Sequence, residues 1–218
     1  MSTPSSDRGP NPAGAARAAL LLTPGAGAGR DQPALVAIEE VLVADGVLVE
    51  RMDFPYRLAG RRSPDRPQVL VAAVREGAAG LAERSGLAPG ALFLGGRSMG
   101  GRMCSVAVAE GLACRGLVLV SYPLHPPGKP ERRRSDHFPT LTVPCLFVSG
   151  TRDAFATPPE LDEATAAIPG PVQLVLVEGG DHGLRGKDDV VAAAVRDWVL
   201  ALVHGPPTRP EPEGRPRG

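Results

Sequence analysis

The segment ALFLGGRSMGGRMC, residues 91–104, decides the fold of this chain. Its first four residues are apolar and predict a buried strand, while the Ala-, Val- and Met-rich residues 99–111 predict a helix. Between them stands Gly96-Arg97-Ser98-Met99-Gly100, a G-x-S-x-G pattern at the point where a strand turns directly into a helix. Such a turn strains the backbone of its middle residue, and a Cβ at either glycine would clash with the neighbouring strand and helix.

Ser98 is therefore predicted to lie at the N-terminus of the helix, where free N–H groups favour developing negative charge. This placement would suit a nucleophile. On these residues alone the alternative stays open, namely a glycine-rich strand-to-helix turn that carries a serine without chemical consequence.

Composition excludes several functional classes. The chain has 218 residues, of which 43% are hydrophobic and 22% charged, as in an ordinary soluble globular protein. Its 24 basic and 24 acidic side chains cancel, and only 4% of its residues are aromatic. We therefore expect no attraction to nucleic acid or to anionic lipid, and no base-stacking surface.

The cysteines and the absence of recognisable targeting segments indicate the cellular compartment in which we expect the protein. The three cysteines show no metal-ligand spacing, and their odd number argues against a disulfide framework, so we expect reduced, buried thiols and neither metal nor cofactor. No signal peptide or membrane-spanning segment is recognisable, which predicts a cytoplasmic protein, monomeric or homodimeric.

Residues 1–16 and 205–218 are rich in Pro and Gly and are predicted to be disordered tails around one domain, residues 17–204.

Strand and helix patterns alternate along this domain. Continuous apolar runs predict six strands, at residues 17–22, 47–53, 91–94, 117–120, 145–149 and 172–177. Helical spacing appears at residues 32–44, 69–85, 99–111, 159–167 and 188–203. The alternation predicts an α/β fold with a mostly parallel sheet, helices on both faces and binding loops at the carboxyl ends of the strands.

A serine hydroxyl attacks well only when a base takes its proton and a carboxylate orients that base. With a nucleophile of this strand-to-helix type, the acid and then the histidine follow along the chain, each on a loop after a strand. Asp153 comes directly after the strand at 145–149 and is the predicted acid; capping of the next helix or pairing with Arg152 is its alternative role. His182, in a glycine-rich loop after the strand at 172–177, is the predicted base.

Other candidates for these roles fit less well. His204 ends the last helix and faces a tail, and His137 precedes the proposed acid in a Pro/Arg-rich loop. Asp181 adjoins His182, but neighbouring side chains seldom aim at each other. Cys104 lies within the helix after Ser98 and is predicted to belong to the core.

Acyl transfer also needs N–H donors that stabilise an oxyanion. The N–H of Met99, directly after the nucleophile, is one predicted donor, and Gly25 or Ala26 in the loop after the first strand supplies the other. The same loop resembles part of a dinucleotide-binding motif, with Glu50 at the end of the next strand, but Arg30 replaces its last glycine.

Four motifs in order carry a resemblance to a known family: GGRSMGG (95–101), SYPLHPPGKP (121–130), SGTRD (149–153) and GGDH (179–182). Together they resemble the α/β-hydrolases. Within that superfamily they are similar to a small lidless group related to dienelactone hydrolases, as in the hydrolase-like domains of a testis-expressed protein and of a subunit of the NSL histone acetyltransferase complex. The resemblance spans about residues 18–203 and implies Ser98 as nucleophile, Asp153 as acid and His182 as base.

This sequence departs from that family at two points. Dienelactone hydrolases use a cysteine nucleophile where this chain has Ser98, so their substrate does not transfer, and Pro24 replaces a histidine that often precedes the glycine-rich turn. Arg97 is a candidate for binding an acidic substrate group, with packing beneath the turn as its alternative role. Residues 125–134 could form one wall of the site, with Tyr122 and His125 reaching inward.

Two functions follow as hypotheses. The first is a carboxylesterase- or thioesterase-like serine hydrolase that acts on a small ester or thioester at an open site. The second is a non-catalytic protein-interaction module on an α/β-hydrolase scaffold.

Overall fold

Six parallel strands form one sheet in the computed structural model, which describes residues 17–205. The strands are β1 (Ala19–Thr23), β2 (Leu48–Arg51), β3 (Leu92–Arg97), β4 (Gly116–Val120), β5 (Cys145–Gly150) and β6 (Val172–Val177). Their order is β2-β1-β3-β4-β5-β6, and each neighbouring pair runs parallel. The chain moves outward from β1 to β2 and then crosses back to β3, so a crevice opens between the carboxyl ends of β1 and β3.

Helices cover both faces of this sheet. They are α1 (Pro33–Ala44), α2 (Pro55–Leu58), α3 (Pro67–Ser85), α4 (Met99–Ala109), α5 (Pro158–Thr165) and α6 (Asp188–His204). Alternate residues of the buried strands point to opposite faces, as Leu21 and Leu22 do, and each face has its own apolar cluster. One cluster packs the sheet against α3, α4 and α5, and the other packs it against α1 and α6. The predicted α/β fold without a large lid is confirmed.

Two local features differ from the predicted elements. The segment predicted as a loop between β2 and α3 contains the single-turn helix α2, which begins at Pro55 and buries Tyr56. Strand β3 also runs three residues beyond its predicted end, through Gly95 and Gly96 to Arg97. The glycines extend the strand because they pair with β1 and β4, where a side chain would not fit.

Other expectations concern the termini, the helix ends and the cysteines. The predicted tails fall outside the described residues except for Gly205. Gly86 ends α3 in the left-handed conformation, with φ +68°, which glycine adopts without strain. The cysteines Cys104, Cys114 and Cys145 are free and buried. Across residues 17–205, no helix is long and apolar enough to cross a membrane, and no cluster of three His, Cys, Asp or Glu side chains could hold a metal ion.

Candidate active site

Ser98 occupies a strained position at the junction of β3 and α4. Its φ of 50° and ψ of −116° lie outside the regions that non-glycine residues ordinarily adopt. The strain persists because the turn is fixed on both sides. The Ser98 N–H donates to the Val120 carbonyl at 2.8 Å, and the Ser98 carbonyl accepts from the Arg102 N–H at 3.1 Å. The side chain is therefore held at the tip of the turn.

The glycines around Ser98 are required by close packing. A Cβ at Gly96 would overlap both the carbonyl oxygen and the hydroxyl of Thr23 on β1. A Cβ at Gly100 would lie 2.5 Å from the same carbonyl oxygen, and one at Gly101 would lie 2.7 Å from the Gly96 carbonyl oxygen. The clash with a neighbouring strand that the sequence predicted is thus confirmed at both glycines of the motif.

The structure brings the three predicted side chains into one hydrogen-bonded chain. Ser98 Oγ lies 2.9 Å from His182 Nε2, and His182 Nδ1 lies 2.9 Å from each carboxylate oxygen of Asp153. Because a carboxylate can only accept, Nδ1 carries the proton of the neutral imidazole. Nε2 then has its lone pair toward the Ser98 hydroxyl, which donates to it.

Asp153 is held rigidly beneath the imidazole. Its side chain is fully buried. Oδ1 accepts the Phe155 N–H at 2.8 Å, and Oδ2 accepts the Ser149 hydroxyl at 3.4 Å. The Phe155 ring stacks on the His182 ring with 3.9 Å between centroids and 26° between planes. The histidine is thus oriented by a carboxylate at its edge and by an aromatic ring on its face.

Arg97 fixes the loop that carries the histidine. Its Nη2 donates to the His182 carbonyl oxygen, and its guanidinium lies near Asp153, Asp181 and Asp188. Burial lowers the pKa of Arg97, an effect that these carboxylates oppose. Arg97 lines the pocket described below, but this donor points to the protein and not to a ligand.

The predicted oxyanion loop offers one free donor near Ser98. The Gly25 N–H donates to Gln32 Oε1 at 3.1 Å, and Gly25 itself is buried. The Ala26 residue is exposed, and its N–H makes no hydrogen bond to another residue among 17–205. Met99 is the first residue of α4, so its N–H has no acceptor within the helix. The N–H groups of Ala26 and Met99 are therefore available to a ligand.

A pocket of about 450 Å³ opens beside Ser98 and His182. Its walls come from the β1–α1 loop, the segment before α3, the first turns of α4 and the β4–β5 connection. The lining residues include Ala26, Asp65, Leu70, Met103, Pro123 and Phe155. Three arginines also line it, namely Arg97, Arg102 and Arg134. The lining of the pocket is therefore mostly apolar, with a net positive charge.

Two predicted substrate contacts are corrected. The Tyr122 side chain is 1% exposed and donates its hydroxyl to the Arg134 carbonyl at 2.9 Å. His125 is 4% exposed, and its ring nitrogens meet the Pro126 carbonyl and Glu160. Neither side chain lines the pocket. The physical reason is that both side chains pack into the protein, where hydrogen-bond partners within the protein hold their polar atoms.

The competing candidates lie elsewhere or are otherwise engaged. His137 Nε2 is 2.8 Å from Ser105 Oγ, and His204 is exposed at the end of α6. Asp181 accepts the Gly183 N–H at 2.8 Å. Burial raises the pKa of the Cys104 thiol to about 12, so it is no thiolate nucleophile. Glu50, considered for a dinucleotide site, pairs with Arg84.

Sequence reasoning missed Phe155 and Arg102. The position of Arg102 did carry a signal, because it lies in the first turn of the helix that Ser98 begins. The stacking of Phe155 on His182 depends on loop conformation and left no signal in the sequence. Arg134 belongs to the segment 125–134 that was predicted as a wall of the site, but nothing singled it out within that segment.

A strand-to-helix turn bearing a serine, on a parallel sheet and followed in sequence by an acid and a histidine, defines the α/β-hydrolase class. A family model described as an alpha/beta hydrolase domain matches residues 16–195, and the chain belongs to this family. The narrower resemblance to the testis-expressed and NSL-complex proteins stays a prediction.

Individual proteins match this chain either over a short segment or at low sequence identity. A pimeloyl-[acyl-carrier protein] methyl ester esterase of Stenotrophomonas maltophilia is 39% identical over 64 residues, 29% of this chain and 25% of that protein. The match thus spans about a quarter of that curated relative. A serine hydrolase homologue from Coxiella burnetii superposes with a TM-score of 0.71 at 15% identity, over 84% of this chain and 85% of the other. A dienelactone hydrolase from Anabaena variabilis gives 0.68 at 20% identity, over 87% and 88%. At these identities the structures show the common fold.

Proposed function

We propose that this protein is a serine hydrolase that cleaves a small ester or thioester through an acyl-enzyme intermediate. One observation carries the proposal: Ser98 Oγ, His182 and Asp153 form a continuous hydrogen-bonded chain, with 2.9 Å separations, at the wall of an open pocket. The esterase named among the relatives supports the ester class. A purely structural role would not need a strained serine aimed at an imidazole.

The geometry supports the following sequence of steps. His182 Nε2 takes the Ser98 proton as Oγ attacks the carbonyl carbon, and the Asp153 carboxylate stabilises the resulting imidazolium. The N–H groups of Met99 and Ala26 donate to the tetrahedral oxyanion. Between the two donors suggested by the sequence, Ala26 is preferred because the Gly25 N–H already donates to Gln32.

The intermediate collapses by breaking the bond to the leaving group. The imidazolium returns its proton to the departing alkoxide or thiolate, which leaves as the alcohol or thiol. A water molecule, deprotonated by His182, then attacks the acyl-enzyme. Collapse of this second intermediate releases the acid and restores the Ser98 hydroxyl.

Activity-based labelling tests the proposal. We expect a fluorophosphonate probe to label the wild-type protein, and p-nitrophenyl acetate and butyrate to be hydrolysed. Ser98→Ala should abolish labelling, since the phosphonylated atom is gone. Ser105→Ala is a matched control, because this buried serine of α4 also hydrogen-bonds a histidine, His137, yet does not line the pocket. Labelling that persists in Ser98→Ala would refute the assignment.

The alternative of a non-catalytic interaction module makes a different prediction. Folded wild-type protein would then show neither labelling nor turnover. No feature of the described residues favours this alternative over the enzyme.

A further inference from the structure

Two arginines in the pocket wall carry charges that the described residues leave unpaired. Arg102 and Arg134 both line the pocket beside Ser98. Within residues 17–205 neither guanidinium forms a salt bridge or hydrogen bond, and Arg102 Nε is buried without a partner. By contrast, the neighbouring Arg133 pairs with Glu163 at 3.2 Å. A buried guanidinium donor without an acceptor is costly in a folded protein unless a ligand supplies the acceptor.

The other charged groups of the pocket are at least partly engaged. Arg97 donates to the His182 carbonyl. Asp65 is the acidic residue of the lining; its Oδ1 accepts from Arg61 Nη2 at 2.7 Å, and its Oδ2 is buried without a partner. The excess of positive charge therefore sits at Arg102 and Arg134.

Burial and the positive charge of Arg102 lower the pKa values of two neighbouring groups, Arg134 and His137. Burial lowers the pKa of Arg134, and the charge of Arg102 lowers it further. The same two causes, burial first and Arg102 second, hold the pKa of His137 at about 4. Three arginines line this pocket against one carboxylate, Asp65, which is itself paired with Arg61, so an anion that enters would meet a net positive field.

The position of the two arginines relates them to the proposed reaction. Arg102 is the fourth residue of α4, and its N–H donates to the Ser98 carbonyl at 3.1 Å, so its backbone lies one turn after the serine. Arg102 and Arg134 are also the two residues shared with a second pocket of about 440 Å³. The lining of that second pocket adds Arg132 and Arg133, and also Glu131 and Asp136, so it has a net positive charge.

We infer that Arg102 and Arg134 bind an anionic group of the substrate, a carboxylate or a phosphate a few bonds from the scissile carbonyl. The inference rests on the proposed function and narrows it from small esters in general to anionic esters or thioesters. A carboxylate would be carried on the acyl side, and a phosphate on the leaving group. Both would accept paired N–H donors from the guanidinium groups.

Matched charged and neutral substrates test the inference. For the carboxylate, kcat/KM is measured in a pH-stat for monomethyl glutarate against methyl pentanoate, which has a methyl in place of the carboxylate. For the phosphate, thiol release is followed from S-acetyl-2-mercaptoethyl phosphate against S-acetyl-2-mercaptoethanol, in which the phosphate is a few bonds from the thioester carbonyl. We expect one of the anionic partners to be favoured by about 10- to 100-fold, the range that charge-assisted hydrogen bonds provide. The pair that shows the preference identifies the source of the anion.

Variants then assign the preference to the two residues. In the double variant Arg102→Gln/Arg134→Gln the ratio of charged to neutral kcat/KM should fall to about one, and Arg102→Lys/Arg134→Lys should restore part of it. Arg133→Gln is the matched control, because Arg133 lines the second pocket alone and is already paired. Arg133→Gln should keep the wild-type preference for the charged substrate. Circular dichroism and the unfolding midpoint show whether each variant is folded.

A binding measurement separates this inference from the proposed function. Ser98→Ala cannot form the acyl-enzyme, so calorimetry can compare its affinity for monomethyl glutarate, S-acetyl-2-mercaptoethyl phosphate and their neutral partners. Tighter binding of an anionic partner that is lost with both arginines supports the anion site even if wild-type turnover is absent. Equal binding of charged and neutral partners, or a preference that survives the double Gln variant, overturns it even if Ser98 is labelled.

Discussion

Replacing Gly96 by alanine tests whether the geometry at Ser98 is imposed by close packing. The added Cβ would overlap the carbonyl oxygen and the hydroxyl of Thr23. Thr23 cannot move aside easily, because it is buried, pairs in register with Gly96 and donates its hydroxyl to the Gly95 carbonyl at 3.0 Å. Strands β1 and β3 would have to separate, in the centre of the six-stranded sheet.

The expected loss of stability follows from the rigidity of the contact between Gly96 and Thr23. Overpacking of a well-packed interior costs about 1–3 kcal/mol, and a clash with backbone belongs at the upper end of that range. We expect the free energy of unfolding to fall by about 3 kcal/mol, which lowers the midpoint of a domain of this size by roughly 6–12 °C. Displacement of Ser98 from His182 by even about 1 Å should also lower kcat by about 100-fold.

Thermal unfolding followed by circular dichroism, together with ester turnover, measures both effects. The matched control is Gly90→Ala, whose Cβ would meet its nearest atom, Ala113 Cβ, at 3.9 Å. It should unfold within about 1 °C of wild type, as expected for a site with room for a methyl group. A Gly96→Ala protein that is as stable and active as this control would refute the packing argument.

A second substitution locates the clash. Thr23→Ala in the Gly96→Ala background removes the hydroxyl but leaves the carbonyl oxygen, so it should restore only part of the lost stability. Full recovery of the free energy of unfolding would mean that the contact between the added Cβ and the Thr23 carbonyl oxygen does not destabilise the protein.

Two further predictions concern the imidazole of the proposed site and a histidine near it. Asp153→Asn should lower kcat by about 10⁴-fold while the protein stays folded, because an amide no longer fixes the proton on His182 Nδ1; steady-state kinetics within tenfold of wild type would contradict this. The folded-state pKa of His137, about 4 against 6.5 in the unfolded chain, favours the neutral ring. Its contribution to stability is therefore complete above pH 6.5 and is lost as pH falls toward 4, by roughly 1–2 kcal/mol at pH 4.5. Urea unfolding at pH 7 and pH 4.5 should show this loss in wild type and a smaller one in His137→Gln, and equal losses in both would contradict the assignment.

The centre of the sheet could be predicted because strands such as β1 and β4 are apolar along almost their whole length. A strand buried on both faces cannot alternate polar and apolar residues, so runs such as residues 117–120 stand out from the amphipathic helices between them. The ends of β3 could not be predicted equally well. Gly95 and Gly96 are typical of turns, yet here they continue the strand because β1 and β4 approach too closely for side chains.

The proposed catalytic residues could be predicted because backbone topology places them. Parallel strands end at one edge of the sheet, so loops after β3, β5 and β6 must meet there. The side chains after β4 could not be placed in this way. Tyr122 and His125 are buried in the protein although Pro123 between them lines the pocket, and nothing in the sequence distinguishes these directions.

The position of Ser98 at the N-terminus of α4 links the proposed attack to the proposed specificity. The Ser98 carbonyl accepts the Arg102 N–H at 3.1 Å, so a distortion of the β3–α4 junction moves both residues together while His182 stays on its own loop after β6. Gly96→Ala should therefore spoil the approach of Ser98 to His182 but not its spacing from Arg102. For an anionic substrate, kcat should fall while KM changes little, whereas loss of Arg102 and Arg134 should act on KM first. A Gly96→Ala protein whose defect lies in KM alone would show that the anion is held by groups outside α4.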